Sequence, residues 1–209
     1  MSDITKSWTG LYEHRKKIRR MFPNFWRVKI IKKHFDALRP YLKAGVKILD
    51  VGAGNKQIEG KIKAVCPGAI YKSMDIDRTK SHDYYSLDDI KERFDCIAFF
   101  EVIEHLTFEE AVIILRKIKD LLKPGGIFIL TTPNVYHPNR YWEYSHKVSY
   151  RYDELAGLLS ALGLKIENIY RIYNDAIIRR FARLYIMSHV HYYLGIDFAR
   201  SIAIIAKNQ

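Results

Sequence analysis

The ten residues Val46-Lys47-Ile48-Leu49-Asp50-Val51-Gly52-Ala53-Gly54-Asn55 narrow the fold more than any other stretch of this chain. A short apolar run predicts a strand over 46–51, a Gly-Xaa-Gly turn closes it, and a helix is expected over 56–65. Glycines at such a turn let backbone NH groups and a helix N-terminus approach a ligand without side-chain obstruction. Asp50 puts an acid where a pyrophosphate would be repelled. The spacing also lacks the third glycine of a dinucleotide loop and the Gly-Lys-Ser/Thr ending of a phosphate loop, which argues against NAD or ATP.

The pattern of that run repeats down the chain. Strands are expected at 69–74, 94–100, 127–131, 164–170 and 201–206. Helices are expected at 108–122, where Ala111, Ile114, Leu115, Ile118 and Leu122 share one face, and at 153–162. Pro124-Gly125-Gly126 is read as the stop between helix and strand, and Gly163 as a second break. Alternating strands and helices predict a largely parallel sheet covered on both faces. A length of 209 residues suits one such domain.

Two segments lie outside this alternation. Residues 1–45 hold 12 Lys/Arg against three Asp/Glu, interleaved with Phe22, Phe25, Trp26, Ile30, Ile31, Phe35 and Leu38, and read as a basic N-terminal helical extension to a domain over 46–209. Residues 174–194 read as a helical insertion within that domain, with an apolar face and Arg179, Arg180 and Arg183. The formal charge of +12 favours polyanions or an anionic membrane face without specifying a site. Solvated basic helices, a nucleic-acid surface and a lipid-headgroup surface all remain open at this stage. Two cysteines, Cys66 and Cys96, make no disulfide framework. No secretory pattern follows Met1, and no apolar stretch reaches the ~18 residues of a membrane span. A cytoplasmic protein is expected, with peripheral membrane contact left open.

Several ordered motifs over 46–170 resemble the class I S-adenosylmethionine-dependent methyltransferases, especially a small-molecule, ubiquinone-pathway-like branch. They are the acidic-Gly-Xaa-Gly loop, Ser73-Met74-Asp75-Ile76-Asp77, Glu101-Val102-Ile103-Glu104-His105-Leu106, and Leu121-Leu122-Lys123-Pro124-Gly125-Gly126. The resemblance implies an α/β, Rossmann-like, mostly parallel seven-stranded sheet flanked by helices, with an antiparallel final strand. It implies S-adenosyl-L-methionine as cofactor, held by Asp50, Gly52 and Gly54, with Asp75 on the ribose hydroxyls and Asp88 reading the adenine amino group. A carboxylate suits the ribose because its paired oxygens accept from both hydroxyls.

A methyl sulfonium is already activated, so catalysis needs alignment, exclusion of water and, for a hydroxyl acceptor, proton removal. His105 is the candidate base, Glu101 or Glu104 its orienter, and His146 a further participant. A structural role for His105 competes with this one. The order Glu101, Glu104, His105, His146 also resembles the metal ligands of small-RNA terminal-ribose 2′-O-methyltransferases, although Val148, Ser149 and Tyr150 depart from that pattern. No metal is assigned in the primary reading. Tyr136, His137, Arg140, Tyr141 and Trp142 form an aromatic, polar loop suited to acceptor recognition. The expected activity is O-methylation of a small-molecule, lipid-linked or glycan acceptor. The alternatives are a metal-dependent RNA 2′-O-methyltransferase and a noncatalytic donor-binding adaptor.

Overall fold

The computed structural model describes residues 8–139 and 143–209. The expected loop residues Arg140, Tyr141 and Trp142, and the first seven residues of the basic extension, lie outside the described residues.

Helix α1 (Trp8–Met21) is followed by the two-residue strand β1 (Ile30–Ile31), α2 (His34–Leu38), β2 (Lys47–Val51), α3 (Glu59–Val65) and β3 (Ile70–Met74). Then come β4 (Phe94–Phe100), α4 (Phe108–Leu121), β5 (Leu122–Pro133), α5 (Tyr152–Ala161), β6 (Leu164–Ile172), α6 (Ile177–Phe181), α7 (Ser188–Leu194) and β7 (Ser201–Asn208). Seven strands form one sheet in the order β1-β6-β7-β5-β4-β2-β3, and β7 alone runs antiparallel to its neighbours. The Rossmann-like architecture expected from the sequence is therefore present.

Alternate residues of each strand feed opposite layers, as a two-sided sheet requires. Leu49, Ile97, Phe99, Phe128, Leu130 and Ile204 pack with Ile18 of α1, Leu115 and Ile118 of α4, and Leu155 and Leu159 of α5. Ile48, Cys96, Ala98, Ile129 and Ile205 pack instead with Phe35 and Leu38 of α2 and Ile62 of α3. Thr107 starts α4 with a capping box, its side chain accepting from Glu110 N while the Glu110 carboxylate accepts from Thr107 N.

The structure revises two expectations. The N-terminal segment is not purely helical, because β1 adds to the sheet beside β6, with Arg171 N donating to Lys29 O and Tyr173 N to Ile31 O. Two isoleucines are too few to show strand periodicity, and the pairing comes entirely from β6. Next, α4 stops at Leu121 and Leu122 already pairs with Phe94, so Pro124-Gly125-Gly126 is an excursion inside β5 that shifts the register to Cys96 opposite Ile127. Gly126 is needed there, since a Cβ would lie 2.9 Å from Lys123 O. Between β3 and β4, the isolated bridge Met74–Tyr84 adds to the sheet.

Part of the N-terminal charge is used internally. Arg15 Nε and Arg19 Nε each donate to Asp153 Oδ2 at 2.7 Å, and Asp153 is fully buried in α5. Burial works to raise that carboxyl, but the bonds from Arg15 and Arg19 and the charge of Arg151 outweigh it and hold it below the ordinary range. Gly157 lets α1 approach, as a Cβ there would stand 3.1 Å from Arg15 N. Among the described residues no helix is long and apolar enough to cross a membrane.

Candidate active site

The C-terminal ends of β2, β4, β5 and β6 open onto a cleft of about 760 Å³. Open α/β sheets place ligands at this edge because the strand-to-helix turns there leave a crevice. Asp50, Gly52, Gly54, Glu101, Glu104, His105, His137 and His146 all line it, although they are spread over 97 positions of sequence (50 to 146).

The glycine loop is held open by the residues around it. Gly52 adopts φ +75°, its N donates to Met74 O at 2.9 Å, and a Cβ at this position would collide with Val102. Gly54 adopts φ +50° and its N donates to Asp75 Oδ2 at 2.7 Å. Asp75 therefore braces the loop from the end of β3, and its Oδ1 accepts from Asp77 N. Asp50 is buried at the tip of β2 and accepts from the Tyr71 hydroxyl at 2.8 Å. Burial pushes the Asp50 carboxyl up to about 6; the Tyr71 bond opposes this and the charge of Asp75 adds to it.

Asp88 is placed differently from the expectation. The Ser86 hydroxyl accepts from Asp88 N and caps a 3₁₀ turn over Leu87–Asp89. That turn directs the Asp88 carboxylate away from the cleft, 2.7 Å from Lys117 Nζ of α4, with its side chain 69% exposed. Capping by Ser86 and the ion pair with Lys117 account for this placement, and the adenine role draws no support from it.

The tip of β4 leads into Glu101, Glu104 and His105, all of which line the cleft. Glu101 sits at φ +54°, a conformation that non-glycine residues seldom adopt. Its Oε2 accepts from Ser201 Oγ at 3.1 Å, and its Oε1 faces His34 Nε2 at 3.4 Å. Glu104 is buried in the following 3₁₀ turn; Oε2 accepts from Thr132 Oγ1 at 3.1 Å, while Oε1 has no hydrogen-bond partner. Burial, and then the charge of Glu101, raise the Glu104 carboxyl to about 8.

Lys147 N and Val148 N both donate to Glu104 O, which clamps the segment carrying His146 onto the turn. The His105 and His146 rings meet edge to face at 4.9 Å between centroids, and His105 Nδ1 lies 3.4 Å from Ser145 O. One ligand atom from each of Glu104, His105 and His146 falls within 4.8 Å of the others, a spacing that small side-chain adjustments could close around a divalent cation. Of the four residues considered for metal, Glu101 stands apart and turns toward His34 and Ser201.

His34 and Ser201 were not singled out from the sequence. His34 begins α2 directly after β1, and Ser201 begins β7; both reach the cleft only because those strands join the sheet beside β6 and β5. A local signal for His34 existed, in the Ile-Ile-Lys-Lys-His sequence, but it read equally as amphipathic helix.

A family model described as a methyltransferase domain matches residues 18–169. Among solved structures, an S-adenosylmethionine-dependent methyltransferase from Archaeoglobus fulgidus superposes with a TM-score of 0.66 at 17% identity, covering 96% of this chain and 100% of that one. The complex of the Haloferax volcanii Trm112 methyltransferase activator with a methyltransferase gives 0.62 at 14% identity, covering 94% of each chain. Magnesium protoporphyrin IX methyltransferase from Synechocystis, with S-adenosylmethionine bound, gives 0.55 at 14% identity, covering 83% of this chain and 77% of that one. The search of curated proteins returned no match.

Proposed function

The chain belongs to the methyltransferase-domain family; from that premise we propose that it takes S-adenosyl-L-methionine as its donor and methylates a hydroxyl of a small-molecule, lipid-linked or glycan acceptor, with His105 receiving the proton. The observation that carries this reading is the His105–His146 ring pair above Glu104, at the tip of β4 and in the same cleft as the donor loop. Asp50, Gly52 and Gly54 hold the methionine end of the donor, and Asp75, already bound to Gly54 N, reaches its ribose.

The acceptor oxygen attacks the methyl carbon in line with the departing sulfur, a C–O bond forms as the C–S bond breaks, and S-adenosylhomocysteine leaves with the electron pair. His105 Nδ1 facing the Ser145 carbonyl favours the tautomer with its proton on Nδ1, which leaves Nε2 free to take the hydroxyl proton. Among acceptors, a lipid-linked one draws support from the 174–194 insertion. It leaves the cleft at Asn174, returns at Arg200, and exposes Ile178, Phe181 and Tyr185 beside Arg179. That surface suits peripheral contact with a membrane.

A second reading is favoured by the spacing of Glu104, His105 and His146 and by the unpartnered Glu104 Oε1. These three side chains would hold a divalent cation, whose charge lowers the pKa of a neighbouring hydroxyl. Vicinal hydroxyls such as an RNA terminal ribose are acceptors of that kind. The test is transfer of isotopically labelled methyl from S-adenosylmethionine into host lipid, glycan, small-molecule and RNA fractions, with chelator and manganese as paired conditions. Label in the first three fractions without metal supports the leading reading. Metal-dependent label at RNA 3′ ends replaces it with the second, and donor binding without label in any fraction refutes both in favour of an adaptor.

A further inference from the structure

Basic side chains line the cleft on both sides. Lys61 of α3 and Lys80, after β3, stand with the donor loop and its aspartates; Lys32, Lys33 and Arg200 stand by the ends of β1, β6 and β7. Lys32 and Lys33 follow β1, and Asp36 Oδ2 accepts from both of their backbone N–H groups, at 3.2 and 2.9 Å, which fixes the turn at the cleft mouth. Both side chains are exposed, and among the described residues neither ammonium meets a carboxylate. Lys47 and Lys123, at the opposite end of the parallel strands, are by contrast ion-paired with Glu92 and Asp95.

Arg200 enters the same end just before β7. The imidazole of His137 is held below its ordinary value by burial, then by the charges of Arg200 and Arg183, against the opposing charges of Asp197 and Asp175. The carboxylate facing this end, Glu101, is engaged by Ser201 and lies against His34. Positive charge at the mouth of a low-dielectric cleft is focused toward its interior, where it attracts an anion.

We propose that Lys32, Lys33 and Arg200 form a phosphate-binding subsite, so that the acceptor is a phosphorylated alcohol, as a monoester or a pyrophosphate. A phosphoryl group offers three oxygens, enough to engage three cationic side chains at once; a carboxylate offers two. The subsite and His105 line the same cleft, so a phosphate held there leaves the rest of the acceptor to reach His105. The assignment to the acceptor rests on the methyl-transfer reading, while the binding of phosphate does not.

The test uses the full chain loaded with S-adenosylhomocysteine, which occupies the donor end. Inorganic pyrophosphate and glycerol 3-phosphate are titrated calorimetrically, and neutral phosphatidylcholine vesicles with and without phosphatidic acid are tested by flotation. The expected result is saturable 1:1 binding of pyrophosphate that weakens at least about tenfold in the double variant Lys32→Glu, Lys33→Glu, with S-adenosylhomocysteine affinity unchanged. Binding of glycerol 3-phosphate assigns the group to a soluble ester; flotation only with phosphatidic acid, lost in the double variant, assigns it to a lipid. Absence of pyrophosphate binding, or equal binding by the variant, overturns the subsite. Failure of the wild-type chain to bind S-adenosylhomocysteine would instead overturn the donor reading and would be seen separately, before any phosphate is added.

Discussion

Replacing Asp50 by Asn should make the donor-free protein more stable while depriving it of its donor. The carboxyl is 5% exposed and raised to about 6 from an ordinary 3.8, with burial as the leading cause. At about 1.4 kcal/mol for each tenfold change in ionisation, holding it charged at neutral pH costs the folded state on the order of 3 kcal/mol. Asn keeps an oxygen for the Tyr71 hydroxyl but introduces a buried amide NH₂, whose unmet donors cost about 1–2 kcal/mol. The net gain is therefore about 1–2 kcal/mol, or roughly 2–8 °C in Tm for a chain of this size.

The pH dependence has a definite sign. Because the folded-state pKa lies above the unfolded one, the native protein binds the Asp50 proton more tightly, so wild-type stability from this group falls as pH rises from about 4 to about 6. The stability difference between variant and wild type should consequently be least near pH 4 and reach its full value above pH 6. Chemical denaturation of both proteins at several pH values measures it, and calorimetric titration with S-adenosylhomocysteine gives donor affinity. A variant no more stable than wild type at pH 7.5, or one that keeps full donor affinity, would refute the reasoning.

Two further substitutions test the frame around the site. Asp75→Ala removes the acceptor of Gly54 N and the proposed ribose contact, so donor affinity should fall at least about tenfold, since hydrogen bonds to charged groups contribute about 1.5–3 kcal/mol; unchanged affinity in a titration would sink the ribose role. Asp197→Ala strips a buried hub that accepts from Arg171, Tyr173 and Asn134, and leaves the Arg171 guanidinium buried without its carboxylate. A loss of about 3–5 kcal/mol in denaturant unfolding is expected, whereas a loss under about 1 kcal/mol would show that water reaches Arg171.

The central sheet and the glycine loop were legible because their signals are local. A run of strand-forming residues closed by Gly52 and Gly54 must turn sharply wherever it occurs, and the apolar face of 108–121 repeats at helical spacing regardless of its partners. Gly54 and Asp75 could be matched to donor positions for the same reason, although the bond between them appears only once β2 and β3 are paired. Asp88 shows the limit of such matching: its type and approximate position suited the adenine role, but capping by Ser86 and the charge of Lys117 decided where its carboxylate points.

By itself, then, the sequence determined the alternation of strands and helices and the glycine turn, which depend on residues near one another along the chain, while ordered motifs over 46–170 carried the resemblance to the methyltransferases. Tertiary structure alone decided what shares the cleft. Two isoleucines at 30–31 become a strand only because β6 supplies their hydrogen-bond partners, and that pairing carries Lys32, Lys33 and His34 to the cleft. His146 meets His105 only because Lys147 N and Val148 N bond to Glu104 O, across some 40 residues of sequence. No local period encodes such contacts: they arise when backbone groups at the edge of a folded sheet find the partners they need.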